Sequence, residues 1–151
     1  IENGLDKKCQ LNTGNHHTYN QGIILSGLVE LYKVKNDTSF LDLAHNIADA
    51  TIENFVYDNG VLKDPKEPNL NGDASQFKGI FMRNLGFLYS ESPKEHYKSF
   101  ILNNVNSIWS FARNKTTNEV GVVWNNSSEK TNASTQSSAL DAFNAAMIVS
   151  K

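Results

Sequence analysis

Displaced by about 57 residues, the chain lays one apolar helical stretch over another. Thr18 falls on Ser75, Gly22 on Gly79, Ile23 on Ile80, Leu28 on Leu85, Leu31 on Leu88 and Tyr32 on Tyr89. Self-similarity at a fixed period marks an architecture built from one repeated unit, each burying its apolar face against the next. A fainter third copy opens at Ser134, with Ser138 in the glycine place and Leu140, Phe143 and Met147 after it. A fold for this chain must therefore give three helices equivalent surroundings.

Apolar spacing predicts five helices. The stretch of about 18 to 34 carries Ile23, Ile24, Leu25, Leu28, Val29, Leu31 and Tyr32 around most of its circumference and is expected to be buried on nearly every side. The stretch of about 39 to 54 has one apolar stripe, through Phe40, Ala44, Ile47 and Ala48, and one polar face, as a surface helix does. The alternation recurs at about 75 to 90 and 93 to 113, and the last helix runs from Ser134 to the end. Ser92, Pro93 and Glu95 read as N-cap, first-turn proline and capping-box partner, and Ser39 with Asp42 as a weaker version. Trp109 falls on an outer-helix stripe and is expected in the core.

Each unit is thus a long inner helix, an amphipathic outer helix and a polar loop. The glycine near the start of an inner helix lets neighbouring backbones approach, at a cost of up to about 1 kcal/mol in helix propensity. The expected fold class is all-α, one domain over residues 1–151. An open superhelix needs polar terminal units, whereas the last helix is apolar and Ala-rich. A closed α/α ring is therefore expected, and three hairpins do not close a roomy one. The chain opens on Ile1 without Met, so it reads as a piece of something longer. An inner wall left open is expected to make the isolated chain associate.

A net charge of −2 provides no basic field for nucleic acid or anionic lipid. The longest apolar run, Gly22 to Val29 interrupted by Ser26, falls far short of the roughly 20 residues that cross a bilayer. Cys9 has no second cysteine to pair with and is expected to be inert. His16 and His17 are a poor metal site, because adjacent side chains diverge and zinc takes about four ligands; no metal and no cofactor are expected. Five Asn-x-Ser/Thr sequons begin at Asn36, Asn114, Asn125, Asn126 and Asn132 in polar stretches, which favours secretion with glycosylation, an extracellular location.

In a ring, the starts of the inner helices converge at one end of the axis. Thr18 to Gln21, Asp73 to Lys78 and Ser134 to Ser138 occupy equivalent places and can share one floor. Tyr19, Phe77 and Trp124 add aromatic faces there, and Asn20, Gln21, Gln76 and Lys78 add polar groups. Rings for C–H faces beside amides and carboxylates for hydroxyls are what a neutral sugar needs. Polar residues at helix starts also serve as caps and aromatics as core, so the residues alone leave both readings open.

The stretches "TYNQGIILSGLVELY", "KDPKEPNLNGDASQFKGIFMRNLGFLY" and "TQSSALDAF" resemble the C-terminal half of glycoside hydrolase family 76, the endo-α-1,6-mannanases and related fungal cell-wall enzymes. The resemblance implies half of a six-hairpin α/α toroid, α-1,6-mannan or mannooligosaccharide as the partner, and a missing N-terminal half carrying an adjacent Asp-Asp pair. Retention of configuration needs two carboxyl groups about 5 to 5.5 Å apart. This chain has no adjacent Asp pair; Asp73 and Asp141 are single, so no catalytic residue is assigned and the chain alone is expected to be inactive. The substrate-facing wall carried over comprises Tyr19, Asn20, Gln21, Asp73, Gln76, Phe77, Lys78 and Trp124. The family also includes wall proteins linked with transglycosylation, the alternative to hydrolysis. Two departures stand out: His17 where many relatives have Trp, and Lys66 and Leu70 where many have cysteines, leaving the loop to Pro65 and Pro68 for stiffness.

Overall fold

The computed structural model describes every residue except Asn15, Asn71 and residues 127–129. Asn71 of the resembling loop and the serines of two sequons, Ser127 and Ser128, lie outside the described residues. Among the described residues there are five α-helices and no strand: α1 Thr18–Lys35, α2 Ser39–Asn54, α3 Phe77–Glu91, α4 Glu95–Ser107 and α5 Ala133–Val149. A 3-10 turn, Gly72–Gln76, leads into α3, and a π turn, Ile108–Ala112, extends α4. None of the described helices is long and apolar enough to cross a membrane.

The inner helices α1, α3 and α5 pack side by side in that order; α2 lies on α1, and α4 on α5 and α3. Glycine permits this. A Cβ on Gly22 would stand 2.6 Å from Phe81 Cα, and one on Gly79 2.5 Å from Ser138 Cα. The two contacts have the same spacing in sequence, so Ser138 is the surface that receives Gly79, as Phe81 receives Gly22. The expected match of Ser138 to the glycine place is corrected accordingly. Its Oγ accepts the Gly79 N–H at 2.9 Å, satisfying a donor that the first turn of α3 leaves free.

Because α3 is covered from both sides, Phe81, Met82, Leu85 and Leu88 are fully buried, each stabilising the fold by about 1.5–3 kcal/mol. Burial of α1 on nearly every side is not found: Ile23, Leu31 and Val34 are exposed, as α1 has an inner neighbour on one side only.

The loops before the inner helices repeat as well. Isolated antiparallel bridges close a corner at Leu5 and Leu11, at Val56 and Leu62, and at Arg113 and Val120. Each corner holds one residue at positive φ: Cys9 at 58°, Gly60 at 75° and Asn118 at 64°. Cys9 thus occupies a left-handed turn position, where glycine and asparagine are the easier choices.

Both expected helix caps are replaced. Helix α4 begins at Glu95 with Lys94 as an uncapped N-cap, and the Ser92 hydroxyl instead meets His45 Nε2 at 2.9 Å. At the start of α2, Asp37 Oδ1 accepts the Ser39 N–H at 2.9 Å. Trp109 is 56% exposed, not core, with the Arg113 guanidinium 3.9 Å from its ring centre. The buried line of α4 runs through Ile101, Asn104, Ser107 and Ile108. Asn104 accepts the Leu62 N–H at 2.8 Å and the Ser107 hydroxyl donates to the Trp124 carbonyl at 2.9 Å. These polar groups hold the stripe because buried loop backbone needs partners, which an apolar pattern does not reveal.

His45 is buried between α2 and the start of α4, with Nδ1 3.0 Å from the Tyr97 hydroxyl. Burial, then the Lys94 charge, pushes its pKa below the ordinary 6.5, against Asp49 and Asp42. The unfolded chain therefore binds a proton at a pH where the native chain does not, and stability rises with pH through that window. The urea midpoint is expected to be lower at about pH 5.5 than at about pH 7.5, and His45→Gln should remove this part of the difference. Equal pH dependence in both proteins would refute the assignment.

Candidate substrate-binding site

The N-cap residue of α1, His17, does not cap its own helix. Asp64, 46 residues on from Thr18, does so: its Oδ2 accepts the Thr18 N–H at 3.1 Å and the Thr18 hydroxyl at 3.0 Å. Its Oδ1 takes a hydrogen bond from His17 Nδ1 at 3.1 Å. An acidic side chain here also meets the positive end of the helix dipole. The imidazole is thereby turned edge-on to Phe77, with ring centres 5.0 Å apart.

The next acid of the same loop, Glu67, reaches the other helix start. Its Oε1 lies 2.5 Å from Lys78 Nζ and accepts the Asp64 N–H at 3.2 Å, while its Oε2 accepts the Tyr57 hydroxyl at 2.8 Å. Both side chains of the ion pair are buried. Burial pulls the Lys78 pKa down, against the neighbouring Glu67 charge, which raises it. Burial first, then Glu67, pushes the Tyr57 hydroxyl well above its usual range. Trp124 closes the network, its ring centre 4.4 Å from Nζ.

Above this network Tyr19 and Phe77 stand with ring centres 4.3 Å apart. With Asp73, Gln76 and Ile80 they line a cavity of about 410 Å³, the size range of small-molecule sites. Gln76 Nε2 donates to Ser134 Oγ at 3.4 Å, so the starts of all three inner helices meet here. A hollow of about 480 Å³ lies elsewhere, between the start of α1 and the end of α2, lined by His16, Gln21, Asn46 and Phe55 among others. Its lining has no such pair of stacked rings.

Of the eight candidate wall residues, Tyr19, Asp73, Gln76 and Phe77 come together at the cavity. Asn20 adjoins them, its amide donating to Asn3 Oδ1 at 3.3 Å, an oxygen that also accepts the Tyr19 hydroxyl at 2.7 Å. Gln21 is turned away: its amide donates to the Ile1 and His17 carbonyls at 2.8 and 3.2 Å. Lys78 and Trp124, expected on the floor, lie beneath it at 2% and 1% exposure. A buried ammonium must have a counter-charge, and Glu67 provides it. Gln136 bonds the Val120 backbone in both directions and does not line this cavity. Arg83, on the exposed side of α3, pairs with Asp141 at 2.7 Å.

Asp64, Glu67 and Tyr57 received no role from the sequence. An acid before a proline looks the same whether it faces water or caps a helix 46 residues away. Among the described residues no group of three His, Cys, Asp or Glu side chains converges as a metal site would require.

The family model described as glycosyl hydrolase family 76 matches residues 2–151. The chain belongs to glycosyl hydrolase family 76. Among solved structures, the Lin0763 protein from Listeria innocua superposes with a TM-score of 0.89 at 25% identity, over 99% of this chain and 43% of that one. The GH76A α-1,6-mannanase of Salegentibacter sp. HEL1_6 gives 0.83 at 22% identity, over 92% and 42%. An inactive variant of that mannanase with two neighbouring aspartates replaced, in complex with α-1,6-mannotetrose, gives 0.85 at 22%, over 95% and 43%. At these identities the mannanase likeness shows the fold, an α/α toroid of which this family 76 chain supplies a row of hairpins. The chain spans about 43% of the length of the solved proteins it matches. No curated protein sequence matches it.

Proposed function

We propose that this family 76 chain forms the substrate-binding wall of a retaining glycoside hydrolase acting on α-1,6-mannan, with the catalytic Asp-Asp pair supplied by sequence outside these residues. The observation that carries the reading is the Tyr19–Phe77 pair, 4.3 Å apart beside Asp73 and Gln76, in a cavity able to hold a pyranose ring. The rings offer flat apolar faces to sugar C–H groups, and the carboxylate and amide offer partners to hydroxyls. The neighbouring mannanase is bound to α-1,6-mannotriose in an inactive form in which two adjacent aspartates are replaced. This chain has no adjacent pair, hence the division of labour. An extracellular or cell-wall location belongs to the same proposal, supported by the exposed sequon asparagines Asn36, Asn114 and Asn132.

Calorimetric titration with α-1,6-mannotriose tests the wall. Phe77→Ala is expected to weaken binding by at least about tenfold, the loss of one stacking face being equivalent to about 1.4 kcal/mol. Unchanged affinity would remove the aromatic pair from the site. The chain alone is expected to leave mannan uncut, and the same chain joined to an upstream Asp-Asp segment to yield short oligomannosides. Hydrolysis by the chain alone would overturn the assignment of the carboxylates. Longer or coupled products from the joined protein would replace hydrolysis by transglycosylation.

A further inference from the structure

One short loop holds two buried acids that reach different helices. Asp64 ties down the start of α1 through His17 and Thr18, Glu67 ties down the start of α3 through Lys78, and the Asp64 N–H donates to Glu67 Oε1 at 3.2 Å. Tyr19 lies one residue beyond Thr18, and Phe77 one residue before Lys78. The loop therefore spans the two helix turns that carry the aromatic pair. We infer that Asp64 and Glu67 are positioning residues, a strut that sets the distance and tilt between Tyr19 and Phe77 and so fixes the width of the cavity for a sugar ring.

The chemistry favours a geometric role over one of bulk stability. Burying charges is costly, and well-packed apolar side chains of similar volume stabilise a core equally well or better. What apolar contacts lack is direction. The Asp64 carboxylate takes hydrogen bonds from His17, the Thr18 backbone and the Thr18 hydroxyl, and each constrains an angle as well as a distance. The imidazole so held packs edge-on against Phe77, and its ring centre lies 6.1 Å from that of Tyr19. Ring stacking on a sugar depends on such placement, because a binding constellation must be held within about 0.5 Å of its productive geometry by the groups that support it.

The consequence for affinity rests on the mannan-binding reading; the geometry does not. The full chain is compared with Asp64→Asn, Glu67→Gln and the core variant Leu85→Ala as a control for lost stability. The readouts are nuclear Overhauser contacts between the Tyr19 and Phe77 rings and titration with α-1,6-mannotriose. Both loop variants are expected to weaken the ring-to-ring contacts and to lower affinity about tenfold, while the folded fraction of Leu85→Ala keeps both. Ring contacts unchanged in the folded loop variants would overturn the strut, whatever happens to stability. If the unaltered chain does not bind mannotriose, the mannan reading fails and the ring contacts alone decide the strut. Should Asp64→Asn not fold, Thr18→Val, which removes only one of the donors to Asp64, takes its place and is held to the same outcomes.

Discussion

Lys78→Met is expected to destabilise the chain by about 3–5 kcal/mol, the cost of stranding one member of a buried ion pair. Glu67 would keep the Asp64 N–H and the Tyr57 hydroxyl but lose its counter-charge, and its side chain has no exposure to water. One further result identifies the cause. Glu67→Met added to Lys78→Met should recover most of the loss, because a buried pair replaced by apolar residues is often neutral or better. Urea unfolding of the two variants provides the measurement. A double variant as unstable as the single one would mean that Lys78 contributes through packing against Trp124 and not through its charge.

Gly79→Ala is expected to cost about 3 kcal/mol, the upper part of the usual range for overpacking. The new Cβ would stand 2.5 Å from Ser138 Cα and 2.7 Å from its carbonyl oxygen. Both are backbone atoms, so no rotamer change relieves the clash and α3 must move away from α5. The gain in helix propensity, about 1 kcal/mol, does not offset this. Gly27→Ala, in α1, is the control: nothing lies within 4 Å of its Cβ, so it should stabilise by up to about 1 kcal/mol. The same substitution at two helical glycines thus has opposite signs, read in one set of unfolding curves. A stabilised Gly79→Ala would mean that the inner helices are not in the close contact described.

Much of the architecture was legible because it is periodic. Helices α1 and α2 begin and end within a residue or so of the apolar pattern, and Gly22 and Gly79, matched by the repeat, do the same job at two successive helix contacts. The pattern failed where polar groups replace apolar ones inside. Asn104 and Ser107 are buried to satisfy loop backbone, and Trp109 lies outside although Tyr97, Ile101, Ile108 and Ala112 of the same face are buried. The candidate site divided along the same line. Tyr19 and Phe77 were placed by their position at helix starts, a property of local sequence. Lys78 is adjacent to Phe77 in sequence yet points to the opposite side of the cavity floor, since neighbouring side chains on a helix do not share a face.

What the amino-acid sequence determined by itself is the unit: inner helix, outer helix, close glycine contact, and through its motifs membership of family 76. Those features depend on neighbours a few residues apart or on a repeat of constant length. Only the tertiary structure decided which polar side chains face the cavity and which hold it up from beneath. Asp64 serves α1 from 46 residues away, and Glu67 serves Lys78 across the turn between two helices. A buried charge is assigned its role by whichever partner packing brings within about 3 Å, and no local pattern of hydropathy carries that distance.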